Sequence, residues 1–471
     1  MGAMDTEKII KDPQSRQLLG FPEEILIQIF QAVHDTPPNS NRQNDEERAR
    51  YDQGTRDIQS IRLTCRKFNR LSSEFLIKFV GVDISENSLT RLQSIVEQPA
   101  ICKGVRMIRI RLLAYDPFLH RNQFAYVHEM VRRLELYSPL MNKDARLLAN
   151  YYVEAWRTGR WTGIRHLFAG LGIHHQLYSL RYCEQHFVSQ QKFLAVVLNA
   201  LQRSKQKLRI EITDCNDFGR QYQQTIRRAT IYNLLSTIAR PRGSTWLQLH
   251  RFHPHAPRSF EWMIPSLLAA FDDPSIHISE LHFEITRTRR PQPMAFSEEM
   301  SKSIQMALQD LQKFKYTSHT YPGNRLAEPD MKCQLYSCLP SKSLKELCLR
   351  RVELEPQRQW SNLQKIALME VQFDVERLAS LLQPIEPHTA AIRLRKCRLS
   401  EGSWADVIDL LRVKQREAVL ISPMGQEVIW MSPENRNYLF VHLPDWHDGN
   451  SKAEQYIRGW IDDNPIRQHD G

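Results

Sequence analysis

The residues able to do chemistry in this 471-residue chain do not form a recognisable reactive set. Cys183 and His186 are three residues apart on one face of a helical segment, a spacing that can bring a thiol to a base. No third group orients the pair, so a structural role is the stronger reading. Cys333-x4-Cys338 is half of a zinc pattern without its other half. His250, His253 and His255 cluster in LHRFHPHAPR, but no acidic or cysteine ligand accompanies them, and the stretch reads as a solvated loop. A phosphate-cradling glycine loop, a strand–GxGxxG–helix unit, a nucleophile elbow, an HExxH pair and a kinase signature are all missing. The expectation is a protein without catalytic residues, cofactor or metal site.

Composition narrows the class. With 42% hydrophobic and 25% charged residues the chain can build a sizeable core. That excludes a disordered, collagen-like or small disulfide-stapled protein. No apolar run approaches the ~20 residues of a spanning helix, so no membrane is expected. The start, MGAMDTEKIIKDPQSRQ, lacks an apolar h-region and does not read as a secretory signal. Gly2 with Thr6 fits the loose myristoylation pattern, and MGAM fits an expression scar equally well. Eight cysteines between Cys65 and Cys397 read as reduced thiols, hence a cytoplasmic or nuclear protein. A net charge of +11 permits acidic partners or nucleic acid and establishes neither.

Periodicity then supplies the elements. Residues 1–17 read as a flexible segment. LLGFPEEILIQIFQAV places Pro22 at a helix start, with Glu23 and Glu24 in the first turn. Ile25, Ile29, Ala32 and Val33 recur at helical spacing, with Leu26 and Phe30 alongside, so this helix is apolar over much of its circumference. Residues 35–57 are polar, contain Pro37-Pro38 and read as a long solvated loop. Helical periodicity resumes with Ile58, Ile61 and Cys65, continues through Phe68 and Leu71, and allows Ser72 or Ser73 to cap a third helix near Glu74.

Phe-Pro, then E-x-I-L-x-x-I-F, then I-R-x-T-C-R-x-F, then S-x-x-F-L resembles the F-box, a three-helix module, over 18–80. The segment from Ser88 to Asp116 is similar to the one that follows the F-box in filamentous-fungal F-box proteins. The long loop departs from the family pattern. The resemblance implies docking onto a Skp-type adaptor, and through it onto a cullin scaffold. It assigns the contact to Phe21, Pro22, Ile25, Leu26 and Ile29, with Ile61, Leu63 and Cys65 from the second helix. Some of these eight side chains can instead fill the module's own core.

A repeat occupies 81–430. The leucine-rich template L-x-x-L-x-L-x-x-(Asn/Cys)-x-L fits LKELCLRRVEL, LQKIALMEVQF and IRLRKCRL, where Cys397 takes the Asn/Cys position. Fainter copies lie at Leu311/Phe314/Tyr316, Ile278/Leu281/Phe283, Leu247/Leu249, Leu208/Ile210 and Val105/Ile108/Ile110. The expected architecture is α/β: an N-terminal three-helix F-box, then an irregular leucine-rich-repeat solenoid with a helical insertion at about 114–204. A tail at 431–471 carries one short helix near Trp460, opened by a Ser451-x-x-Glu454 capping box and frayed after Pro465.

In such strands the residues between the apolar positions face a concave wall. Ten of them are Lys or Arg and four are Glu. The expected substrate-binding residues are Arg109, Arg111, Arg350, Arg393 and Arg395, facing an acidic or phosphorylated protein. The leading function is therefore substrate recognition in a Skp–cullin–F-box ubiquitin ligase. A non-degradative leucine-rich interaction protein is the alternative. A nucleic-acid-binding protein is less favoured, because apart from Trp246 the exposed positions offer no stacking aromatics.

Overall fold

A computed structural model describes residues 19–35, 46–160, 165–204, 206–214, 230, 234, 263–286, 296–319, 335–340, 342–354, 360–386, 390–414, 418–424 and 451–467. The expectations for residues 1–17, for Cys333, for His250, His253 and His255, and for the repeat copy at Leu247/Leu249 lie outside them. The chain divides into two units, residues 1–80 with 93–106, and residues 81–92 with 107–471.

The first unit is helical. α1 (Glu23–Asp35) opens where Pro22 offers its carbonyl to the Leu26 amide at 3.2 Å. α2 (Glu46–Arg62) begins inside the stretch expected to be loop, which corrects that reading. Its first turns, EERARYDQGTRD, are polar and carry no apolar stripe, so periodicity could not find them. α3 (Arg66–Ser72) starts where a continuation of α2 was expected: Cys65 is extended and caps it, its Sγ accepting from the Phe68 amide at 3.4 Å. Ser72 and Ser73 are not caps, and their hydroxyls donate back to the Phe68 and Asn69 carbonyls. A 3-10 turn, Ser73–Phe75, follows. Leu26 and Phe30 of α1 meet Ile58, Leu71 and Phe75 in the core, and Phe68 stands edge-on to Phe30 at 5.3 Å. α4 (Glu86–Val96) contributes its last residues to this unit, and α5 (Pro99–Cys102) completes it.

The second unit is built on a parallel sheet whose strands lie in chain order. These are β1 (Phe79–Asp83), β2 (Met107–Arg111), β3 (Lys207–Thr213), β4 (His277–Thr286), β5 (Lys313–His319), β6 (Glu346–Arg350), β7 (Lys365–Met369), β9 (Ala391–Arg395) and β11 (Ala418–Ile421). β3 hydrogen-bonds directly to β4. Register aligns Ile108, Ile210, Leu281, Phe314, Leu347, Ile366, Ile392 and Ala418 in one continuous row. Ile110, Ile212, Phe283, Tyr316, Leu349, Leu368, Leu394 and Leu420 form a second. Every member is buried, so alternation along each strand and stacking across strands make one core.

The last four strands share a turn. The residue after each one, Arg351, Glu370, Lys396 and Ser422, has φ between 48° and 56°, in the left-handed region. The amides of Arg351, Glu370 and Lys396 each donate to the last strand residue of the next unit, at 2.7–2.9 Å. A second, short parallel ladder follows, β8 (Gln372–Phe373) with β10 (Arg398–Leu399). Val352, Val371 and Cys397 turn inward between the two ladders. Burial pushes the Cys397 thiol up to about 12, and its Sγ donates to the Leu368 carbonyl at 3.3 Å.

Between β2 and β3 the described residues are mostly helical: α6 (Pro117–Arg121), α7 (Gln123–Tyr137), α8 (Lys143–Arg157), α9 (Arg165–Phe187) and α10 (Gln190–Ser204). Tyr126, Met130, Leu134, Tyr152 and Tyr178 centre a core of their own. α11 (Met263–Ala269), α12 (Glu298–Ala307), α13 (Val375–Leu382), α14 (Trp404–Lys414) and α15 (Lys452–Ile457) complete the described helices. No helix among the described residues is long and apolar enough to cross a membrane.

Candidate functional site

Two surfaces carry the residues singled out by sequence, and each belongs to one unit.

On the helical unit, α1 has two apolar faces. Leu26 and Phe30, four residues apart, face the unit's core. Leu26 is wholly buried there and cannot form an outward contact, which corrects its assignment. Phe21 and Ile25 remain 43% and 40% exposed, and Pro22 is exposed beside them. Ile29 and Ile61 are half-buried against the core, and Leu63, in the turn after α2, is 88% exposed. Cys65 is occupied as the α3 cap. Lys67 fixes the entry to α1, its Nζ donating to the Leu19 carbonyl at 3.0 Å, and Arg70 pairs with Glu23. What remains exposed is the apolar group Phe21, Pro22 and Ile25 at the start of α1, and Leu63 in the turn after α2.

On the sheet unit, the positions alternating with the core rows are also in register. One row runs Arg209, Glu280, Lys313, Glu346, Lys365. Its charges alternate, and neighbours pair laterally: Arg209 with Glu280 at 3.9 Å and Lys313 with Glu346 at 3.1 Å. The His282 ring, its Nε2 at 3.4 Å, then the nearby Lys313 and Arg209, hold the Glu280 carboxyl below its usual range against the cost of burial. The expected positive excess on this wall is thus partly offset by pairing within the sheet. Arg109 pairs with buried Glu211 at 3.0 Å, and Arg111 with Asp83 at 2.6 Å. Arg350 and Arg351 share Glu370 at 3.1 and 2.7 Å. Burial pushes the Glu370 carboxyl up, but these two guanidinium groups outweigh it and hold it low. Arg109, Arg111 and Arg350 are therefore structural cations.

Arg109→Gln should lower stability by about 3 kcal/mol, because Glu211 keeps only the more distant Arg209 as a partner in a buried position. Denaturant unfolding would read it, and a change below about 0.5 kcal/mol would mean that Glu211 is well solvated.

Arg393 and Arg395 differ. Among the described residues neither has an acidic partner, and Arg393 is exposed. Arg393 lines a pocket of about 620 Å³ with Lys365, Ile366, Ala367, Ala391, Ile392, Val419, Arg458 and Trp460. The Arg458 guanidinium lies 5.1 Å from the centre of the Trp460 ring, which is 61% exposed. Sequence reading found Arg393 from its alternation, but Arg458 and Trp460 arrive from more than sixty residues downstream. Lys365 was visible only as one basic position among ten.

The segment that brings them is docked and not frayed. Ser451 Oγ accepts from the Glu454 amide at 3.2 Å, which is half of the expected capping box. The Asn464 amide donates to the Ala405 carbonyl and to Asp409, Arg467 pairs with Asp406 and Asp409, and Pro465 and Ile466 are buried. The Glu454 carboxylate does not reach back to complete the box. It is 99% buried, and neither oxygen has a hydrogen-bond partner among the described residues. Burial raises its pKa, with Arg458 and the Leu420 amide pulling weakly the other way. An acid whose folded pKa is raised binds more protons folded than unfolded, so stability falls as pH climbs past the ordinary carboxylate range. Glu454→Gln should raise the melting temperature at pH 7.5 and leave it unchanged at pH 4. An equal shift at both values would remove the carboxylate's charge as the cause.

No group of three or more His, Cys, Asp or Glu side chains able to hold a metal occurs among the described residues. Comparison with protein-family models, with curated proteins and with solved structures finds no match to this chain.

Proposed function

We propose that this chain is the substrate-recognition subunit of a Skp–cullin–F-box ubiquitin ligase. Its helical unit docks a Skp-type adaptor, and the outer face of its sheet captures a protein substrate. The supporting observation is the division of labour on α1. Leu26 and Phe30 satisfy the unit's own core, while Phe21, Pro22 and Ile25 remain outside it. A small helical unit that exposes such a patch beside a complete core offers the centre of an interface. The F-box resemblance names the occupant.

The sheet unit has the features expected of an irregular leucine-rich repeat. Its parallel strands follow chain order, and each of the last four is followed by a residue in the same left-handed conformation. The lateral pairing of charges on its outer face argues against the nucleic-acid alternative, since half of the ten cations there, Arg109, Arg111, Arg209, Lys313 and Arg350, are already matched by carboxylates. In this role the chain supplies binding surfaces and no reactive group, and the chemistry belongs to the enzymes assembled on the cullin.

The test is reconstitution. The full chain, the adaptor, the cullin scaffold and a co-purifying protein are combined with ubiquitin and its conjugating enzymes. Chain-dependent ubiquitylation of that protein is expected. Assembly without ubiquitylation would favour the non-degradative interaction protein.

A further inference from the structure

We propose that the pocket between Lys365, Arg393, Arg458 and Trp460 takes an extended, unmodified acidic segment, acidic–x–acidic, with an apolar residue beside it. Among the described residues three cations line this pocket and no acidic residue does. Among the described residues none of the three has an ion-pair partner. Elsewhere on this face Arg109 is matched by Glu211, Arg111 by Asp83, Lys313 by Glu346 and Arg350 by Glu370, while Lys207, Lys315 and Arg395 stand singly without an ion pair among the described residues. The pocket is where three unmatched cations line one concavity.

Register gives the spacing. Lys365 stands opposite Ala391, and Arg393 lies two residues further along, opposite Ala367. With strands about 4.8 Å apart and a rise of about 3.3 Å per residue, the two positions are about 8 Å apart on one face. Residues i and i+2 of an extended peptide also point to one side, about 7 Å apart. Two carboxylates on such a peptide therefore meet two cations without crowding. Ala367 and Ala391 complete the square between the two charges, and Val419 lies beyond Arg393, so the floor is apolar. One phosphate would gather its charge at a single point and calls for converging donors. These cations are spread apart. Trp460, with Arg458 against its ring, offers a flat apolar surface at the rim for the neighbouring side chain.

This deepens the substrate-receptor reading and rests on it only for the peptide's origin, because the pocket's chemistry can be measured without an adaptor. The purified full chain is titrated into dye-labelled synthetic peptides, read by fluorescence anisotropy. One carries Asp-x-Asp beside Leu, the second has both Asp replaced by Asn, and the third has a single phosphoserine in their place. The Asp peptide is expected to bind, weakening steeply with salt, and the Asn peptide to bind at least about tenfold less tightly. Lys365→Gln with Arg393→Gln should cost about tenfold. Arg398→Gln, on the short second ladder, should cost nothing. Lys365→Glu with Arg393→Glu should gain affinity for a Lys-x-Lys peptide, a gain that misfolding could not produce.

Equal binding of the Asp and Asn peptides, or indifference to the double substitution, would overturn the proposal. So would a phosphoserine peptide that binds more tightly than the Asp peptide. Failure here with adaptor binding intact removes the pocket assignment alone. Peptide capture without adaptor binding removes the ligase reading alone.

Discussion

An Ile25→Asp variant is expected to fold as the parent chain does and to lose at least about a hundredfold in affinity for a Skp-type adaptor, about 2.7 kcal/mol. The side chain is 40% exposed and outside the unit's core, so the substitution costs the fold little. In a desolvated interface the new carboxylate would be buried without a partner, which costs several kcal/mol. Ile29 is the less useful position, because it is half-buried against Leu26 and its neighbours. There a carboxylate would disturb fold and interface together. Leu26→Ala provides the contrast on the same helix, with an expected loss of about 3 kcal/mol in stability from the cavity it leaves. Unfolding curves and adaptor binding, measured on both variants, separate the two faces of α1. Unchanged adaptor affinity in a folded Ile25→Asp chain would remove the patch from the interface.

The largest expected effect on stability is at Gly104. A Cβ built there would meet the Glu74 carbonyl oxygen at 1.8 Å and its carbon at 2.7 Å. Both are backbone atoms in the 3-10 turn, and the turn is fixed further by the Lys103–Glu74 ion pair at 3.0 Å. No rotamer change relieves the clash, so one backbone segment must move. Gly104→Ala should cost about 4 kcal/mol, at the upper end for single substitutions. Gly459→Ala is the comparison. That residue has φ of 74° but open space around its Cβ position, so only backbone strain of about 1 kcal/mol is expected. Similar melting temperatures for the two variants would mean that residues 93–106 do not pack on the Glu74 turn.

What the sequence made legible follows from the range of each signal. Two-residue alternation marked the strands from Met107 to Arg395, because a strand buried on one face must alternate. β1, FVGVD, lacks the template's leucines and β11, AVLI, has only four residues, and both escaped it. The polar half of α2 escaped because a helix without an apolar stripe resembles a loop. α9 is apolar on several sides and showed only its first part as periodic. The left-handed residues after the last four strands are Arg, Glu, Lys and Ser, where a turn signal would be Gly or Asn, so composition gave no warning.

The candidate sites divide in the same way. The exposed α1 residues could be named from local spacing, but only tertiary packing separates Ile25 from Leu26. The arginines could be placed on one face of each strand, but their neutralisation depends on register between distant segments. Arg109 meets Glu211 across 102 residues. Arg393 escaped neutralisation, and Arg458 and Trp460 reached it through a turn that no local pattern foretells.

The central claim is that the helical unit docks an adaptor through an apolar patch. Its most direct measurement is calorimetric titration of a purified Skp-type adaptor into the purified full chain at several temperatures. The expected result is a one-to-one complex with a negative heat-capacity change, the mark of apolar surface leaving water. Absence of a complex at micromolar concentrations, with the chain folded, would contradict it.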